Sequence, residues 1–199
     1  MIDYNLLVKE FKKHDGVMKT SELNTFGLNS RNLRGLLEED KIVKIKKGVY
    51  QLANDVDTQD DVIIGKLFPS AIIYLQSALL YYGYTDRIPF TWQIAVDKNS
   101  SKSQYKIDYP AVTPFYLKRE ILEVGVSEYS IGNIRIKIYD RDRTICDILR
   151  YEKKIDKEIF NKAVQAYIKD DKKNISKLLE YAKVLRVINK VKIYVGVWL

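Results

Sequence analysis

The chain has 199 residues, 46% of them hydrophobic and 30% charged, with only 9 Gly and 4 Pro, which excludes a disordered chain. Its 34 Lys+Arg against 26 Asp+Glu leave a formal charge of +8 and raise the expectation of a polyanionic partner. One cysteine (Cys146) excludes an intramolecular disulfide or a cysteine-rich zinc site, and one histidine (His14) excludes a metal site built on several imidazoles.

The longest apolar stretch is Ile193–Leu199, far too short to span a bilayer. The start, Met1-Ile2-Asp3-Tyr4-Asn5, lacks the basic-then-apolar pattern of a signal peptide. A cytoplasmic setting with no membrane partner is expected.

Asp3 is placed to cap a first helix, in which Tyr4, Leu7, Val8 and Phe11 fall on one stripe and Lys9, Lys12 and Lys13 fall off it. Asp15-Gly16 ends it. Thr20 is expected to cap a short second helix that turns Leu23 and Phe26 inward. After the turn Gly27-Leu28-Asn29, Ser30 is expected to cap a third helix backed by Leu33, Leu36 and Leu37. Two short helices joined by a glycine-containing turn match helix-turn-helix spacing. Arg31, Asn32, Arg34 and Gly35 lie away from the leucines, near the start of that third helix, where a recognition helix meets base edges.

Ile42–Leu52 follows as a hairpin. Val43 and Ile45 are expected inward, alternating with Lys44 and Lys46, and Lys47-Gly48 marks the turn. Lysines on such a wing reach phosphates, which supply affinity without sequence information. The candidate DNA contacts are therefore Ser30, Arg31, Asn32, Arg34, Lys44, Lys46 and Lys47. The alternative is a winged module used only for protein contacts.

The acidic stretch 54–61 reads as a hinge. Beyond it, Val62–Phe68 is expected to be helical, and 71–82 is either one apolar helix or a short strand at Ile72–Leu75 before a helix near Ser77. Phe90–Val96 and Ala111–Leu117 read as strands. Ser127–Ile131 and Ile134–Tyr139 flank Gly132-Asn133, a hairpin signal. Three helices follow: one capped by Asp140 or Asp142, one from Asp156, and one from Asn174 that carries Lys183, Arg186 and Lys190 as a basic stripe able to add phosphate contacts. The fold class is α+β: a winged helix-turn-helix over 1–55, then an α/β domain over 56–199 with a mixed or antiparallel sheet and a helical C-terminal part.

Catalytic signals are sparse. No phosphate-binding glycine loop or nucleophile elbow occurs, so no enzyme activity, cofactor or metal is expected. Asp86 and Asp97-Lys98 keep a metal-dependent nuclease open as a minor alternative, although the acid-x-lysine spacing is missing. Asp140–Asp147 is the densest polar cluster. It reads mainly as helix capping, with a partner surface at Arg143, Thr144 and Asp147 as the alternative.

Several short motifs occur in order along the chain: Thr20-Ser-Glu-Leu23, the capped helix with Leu33 and Leu36, Lys47-Gly-Val-Tyr50, Ser77-Ala-Leu79 with Gly83, and Arg143-Thr144 followed by Asp147. In these the chain resembles the AbiEi family of antitoxins from bacterial abortive-infection operons. It departs at Asp40, where relatives often carry Gly. The resemblance implies a type IV antitoxin. Its winged helix would bind inverted repeats in promoter DNA and repress its own operon. Its C-terminal domain would counter a nucleotidyltransferase-like toxin, with no stable complex required, through a surface at Arg143, Thr144 and Asp147. Dimerisation on the duplex stays open. The other reading is a winged-helix repressor whose C-terminal domain senses a ligand or dimerises.

Overall fold

A computed structural model describes residues 3–53 and 58–196, and the fold is α+β. The chain divides into two compact units. The first comprises Met1–Pro69, Lys102–Ala111 and Ser130–Ile136; the second comprises Ser70–Ser101, Val112–Tyr129 and Lys137–Leu199.

In the first unit, helix α1 (Tyr4–Lys13) is capped by Asp3, whose carboxylate accepts from Asn5 N at 2.8 Å, and it buries Leu7 and Phe11. Strand β1 (Val17–Lys19), α2 (Thr20–Thr25), α3 (Ser30–Glu38), β2 (Ile42–Lys46) and β3 (Val49–Leu52) follow. The three strands form an antiparallel sheet in the order β1-β3-β2. Leu7, Phe11, Met18, Leu23, Leu28, Leu33, Leu36, Ile42 and Leu52 make one core, burying the helical stripe and the sheet together. Strand β1 was not expected; three residues are too few to show a period.

Two expected caps move by one residue. Lys19, not Thr20, is the N-cap of α2, and the Thr20 hydroxyl instead donates to Gly48 O at 3.2 Å, tying α2 to the hairpin turn. Asn29, not Ser30, caps α3. Asn32 N donates to Asn29 Oδ1 at 3.0 Å and Asn29 N to Asn32 Oδ1 at 3.1 Å, a reciprocal capping box.

The hairpin also differs from simple alternation. Lys44 pairs with Tyr50 and Lys46 with Val49, leaving Ile45 as a bulge. Ile42 and Ile45 are the buried residues of β2, each in a different core cluster, and Val43 is exposed.

The first unit continues past the expected boundary at 55/56. Residues 54–57 of the acidic stretch lie outside the described residues. Helix α4 (Asp60–Leu67) follows, and its Ile63 joins Val17, Ile45 and Val49 in a second small core. Lys66 Nζ donates to Val17 O at 2.6 Å and to His14 O. A Cβ on Gly65 would stand 2.9 Å from Ile134 Cγ2 and Ile136 Cγ1, so glycine permits the close approach of 130–136. Segment 102–111 is held through Asp108 N, which donates to Ile45 O at 3.0 Å.

In the second unit, β4 (Ile72–Ile73), β5 (Trp92–Asp97), β6 (Val112–Leu117), β7 (Val126–Ile131) and β8 (Ile134–Tyr139) form a sheet in the order β6-β5-β4-β8-β7, the outer end of the β7–β8 hairpin counting with the first unit. β4 runs antiparallel to β5 and parallel to β8, and β5 parallel to β6, so the sheet is mixed. Of the two readings for 71–82, the short strand before a helix is the one found; the helix is α5 (Leu75–Tyr81).

Helices α6 (Arg119–Leu122), α7 (Arg141–Arg150), α8 (Lys157–Lys169), α9 (Ile175–Val184) and α10 (Ile188–Tyr194) complete the unit. Asp140 caps α7, Asp156 caps α8 and Asn174 caps α9. The single helix expected from Asn174, carrying Lys183, Arg186 and Lys190, is two helices. Arg186 (φ +58°) breaks it, and Val187 N donates to Ala182 O at 2.8 Å. Tyr74, Tyr139, Ile145, Ile148, Phe160, Tyr167, Leu178 and Ala182 are among the residues of the main core.

Candidate nucleic-acid interface

Helix α3 presents two faces because 3.6 residues make a turn. Leu33 and Leu36 are buried, while Ser30, Arg31, Arg34 and Glu38 are exposed. Arg31 makes no hydrogen bond or ion pair among the described residues. Arg34 Nε lies 3.4 Å from Glu38 Oε1, with both side chains largely in solvent, so this pair is weak. Asn32 is less available than its sequence position suggests. Its Oδ1 is spent on the capping box, so bidentate contact with a base edge would cost the cap.

The hairpin lysines separate into two kinds. Lys44 and Lys47 are exposed and make no hydrogen bond or ion pair among the described residues. Lys46 is committed: its Nζ donates to Gln104 O at 2.5 Å and stands 5.1 Å from the centre of the Phe68 ring. It holds segment 102–111 and is not a free phosphate contact, because the bulge at Ile45 turns it from the outer face. His14 ends α1 between Glu10 (3.6 Å) and Glu22 (3.7 Å).

In the second unit, the stripe Lys183, Arg186 and Lys190 is not one helical face. Lys183 and Arg186 are exposed, but Lys190 Nζ donates to Leu149 O at 2.7 Å and pairs with Glu152 at 2.9 Å.

Arg143, Thr144 and Asp147 do not form a surface, so the alternative reading of this cluster does not hold. All three are buried. Arg143 Nε donates to Asp147 Oδ2 at 2.8 Å, and its Nη1 donates to Ile121 O and Val124 O, each at 2.7 Å. The guanidinium lies over the Tyr139 ring, 4.2 Å from its centre. Tyr74 OH donates to Asp147 Oδ1 at 3.1 Å, and the Thr144 hydroxyl to Tyr139 O at 3.2 Å. Burial pushes the Asp147 carboxyl above the ordinary carboxylate range, against the pull of Arg143 and the Tyr74 hydroxyl. Burial opposes the charge on Arg143, but Asp147 with Tyr139 and Tyr74 together hold the guanidinium above its ordinary pKa.

Three further carboxylates each take a tyrosine hydroxyl: Asp140 from Tyr181 (3.0 Å), Asp142 from Tyr167 (2.7 Å) and Asp170 from Tyr84 (2.5 Å). Asp142 Oδ1 also accepts from Asn174 N at 2.8 Å. This set stitches the start of α7 to α8, α9 and the loop after α5.

The candidate nuclease carboxylates are not brought together. Asp86 pairs with Lys162 at 2.6 Å, and Asp97 accepts from Asn99 N at 2.7 Å. Among the described residues no group of three or more His, Cys, Asp or Glu is placed to hold a metal ion, and no helix is long and apolar enough to cross a membrane. Burial pushes the Cys146 thiol far up, as suits a small core residue. No family model and no curated protein matches the chain.

Proposed function

We propose that the first unit is a winged helix-turn-helix that binds double-stranded promoter DNA, and that the protein is an antitoxin of the AbiEi kind. The order α1-β1-α2-α3-β2-β3, with its antiparallel sheet, supports the winged-helix part. The observation that carries DNA binding is the exposed face of α3. Among the described residues Arg31 has no internal partner there and Arg34 only a solvent-screened one, while Lys44 and Lys47 make no hydrogen bond or ion pair on the hairpin. Arginines at the start of such a helix read guanine edges, and free lysines neutralise phosphates.

The antitoxin part rests on the ordered motifs from Thr20 to Asp147. In this reading the protein represses its own operon, and the second unit opposes a nucleotidyltransferase-like toxin through a surface other than Arg143, Thr144 and Asp147. A second reading, a repressor that senses an apolar ligand, is favoured by the groove lined by Phe160, Val164, Ile168 and Tyr194.

The test is a gel shift with the full chain on duplex from immediately upstream of its own gene, against unrelated duplex, with co-expression of the neighbouring toxin gene. Preferential retardation of the upstream duplex together with rescue of growth supports the proposal. Equal or absent retardation removes the repressor function. Retardation without rescue favours the ligand-sensing repressor.

A further inference from the structure

Glycine inside a helix is less stable than alanine there, so an interior glycine calls for a reason. For some glycines here the reason is internal. Gly65 admits Ile134 and Ile136, and Gly27 and Gly48 have φ of +94° and +75°. Gly35 has neither. It lies inside α3 with ordinary helical backbone, and a Cβ built on it would meet no atom within 4 Å.

Its position on the helix is specific. At 3.6 residues per turn, Gly35 projects about 40° from Arg31 and about 160° from Leu33. It is half-buried and lies on the outward half of the helix, about 100° from both Leu36 and Arg34 and one turn after Arg31, which makes no hydrogen bond or ion pair among the described residues. Among the described residues nothing requires the missing side chain, and the residues around it carry the chemistry that meets a base edge.

We propose that Gly35 is a positioning residue for DNA: the point where the groove of the duplex comes nearest the axis of α3, letting Arg31 and Arg34 reach the bases. This role rests on the DNA-binding reading above. A methyl group at this position would hold the whole helix away from the groove, so the effect would appear in binding and not in folding.

The test compares the full-length wild type with Gly35→Ala and Gly35→Leu. Affinity for duplex from upstream of the gene is measured by fluorescence anisotropy, and thermal unfolding is followed on the same samples. The expected result is at least about tenfold weaker binding for Gly35→Ala, a larger loss for Gly35→Leu, and a melting temperature for Gly35→Ala equal to or above that of wild type. Wild-type affinity in Gly35→Ala overturns the assignment, as does a fall in its melting temperature, which would make Gly35 a requirement of the fold. If the wild type binds no duplex, the DNA-binding reading itself fails and this role with it.

Discussion

Arg143 and Asp147 stand one turn apart on α7, joined Nε to Oδ2 at 2.8 Å with both side chains at 0% exposure. Such a pair contributes little against a well-packed apolar replacement, but breaking one partner strands a buried charge. Asp147→Asn is expected to destabilise the protein by about 3–5 kcal/mol in urea unfolding. The double change Arg143→Met with Asp147→Leu should cost less than the sum of the single changes, because neither charge is stranded. It should still fall short of wild type, since the carbonyls of Ile121 and Val124 lose their donor. A purely additive double mutant would show that the two groups act independently.

Asp142 behaves differently on the same helix. Burial raises its pKa above the ordinary carboxylate value. The folded chain thus holds this proton more tightly than the unfolded chain, and the charged form costs stability as pH rises through the window between the two values. Asparagine keeps an oxygen for both Tyr167 OH and Asn174 N. Asp142→Asn is expected to match or exceed wild-type stability at neutral pH, with the advantage shrinking as pH is lowered through that window. Thermal melts of both proteins across acidic and neutral pH check this; a growing advantage in acid would reverse the assigned direction.

Asp40 follows the C-cap of α3 with φ +49°, and Lys41 N donates to Leu36 O at 2.9 Å across it. This is the left-handed position of a helix end, where glycine fits without strain. Asp40→Gly is expected to stabilise the chain by up to about 1 kcal/mol, the left-handed penalty offset in part by the greater freedom of unfolded glycine. Chemical denaturation with an unchanged m-value is the measurement.

The two kinds of hairpin lysine should separate experimentally. Lys47→Ala should weaken binding to all duplexes alike and lower the salt slope by about one phosphate contact, while leaving the melting temperature in place. Lys46→Ala should do the reverse, lowering stability and loosening 102–111, with little change in salt slope, because its ammonium holds Gln104 O. Equal salt-slope effects would place Lys46 on the DNA.

Arg31→Ala and Arg34→Ala should each cost roughly 1–3 kcal/mol on the preferred duplex and blur its sequence preference. Anisotropy titrations on the upstream duplex and on point-altered versions measure both. Unchanged affinity in both variants would take the reading face off α3.

Local chemistry was the most legible part of the sequence. The stripe Leu7–Phe11 and the caps Asp3, Asp156 and Asn174 depend only on residues within a few positions, and each is found. The bulge at Ile45 was hidden because it is set by pairing with β3, and the joint burial of Ile42 and Ile45 because each meets a different core cluster built from distant residues. The burial of Arg143 and Asp147 was hidden for a related reason. Charged residues default to the surface, and the groups that satisfy these two come from Tyr74, Ile121 and Val124, far away in the chain. The outward arginines of α3 were legible from the leucine spacing alone, but the second job of Asn32 as a cap partner was not.

The first unit is drawn from three separate stretches of chain, with segments at 102–111 and 130–136 joining 1–69. No single pair of cut points excises it. A fragment ending near residue 55 would leave Ile45 without Ile63 and the partner of its carbonyl, and a fragment starting near 62 would carry orphaned pieces of the missing half. Separating the roles of the two units in this protein must therefore proceed by point substitution in the intact polypeptide; deletion of either half would report on misfolding.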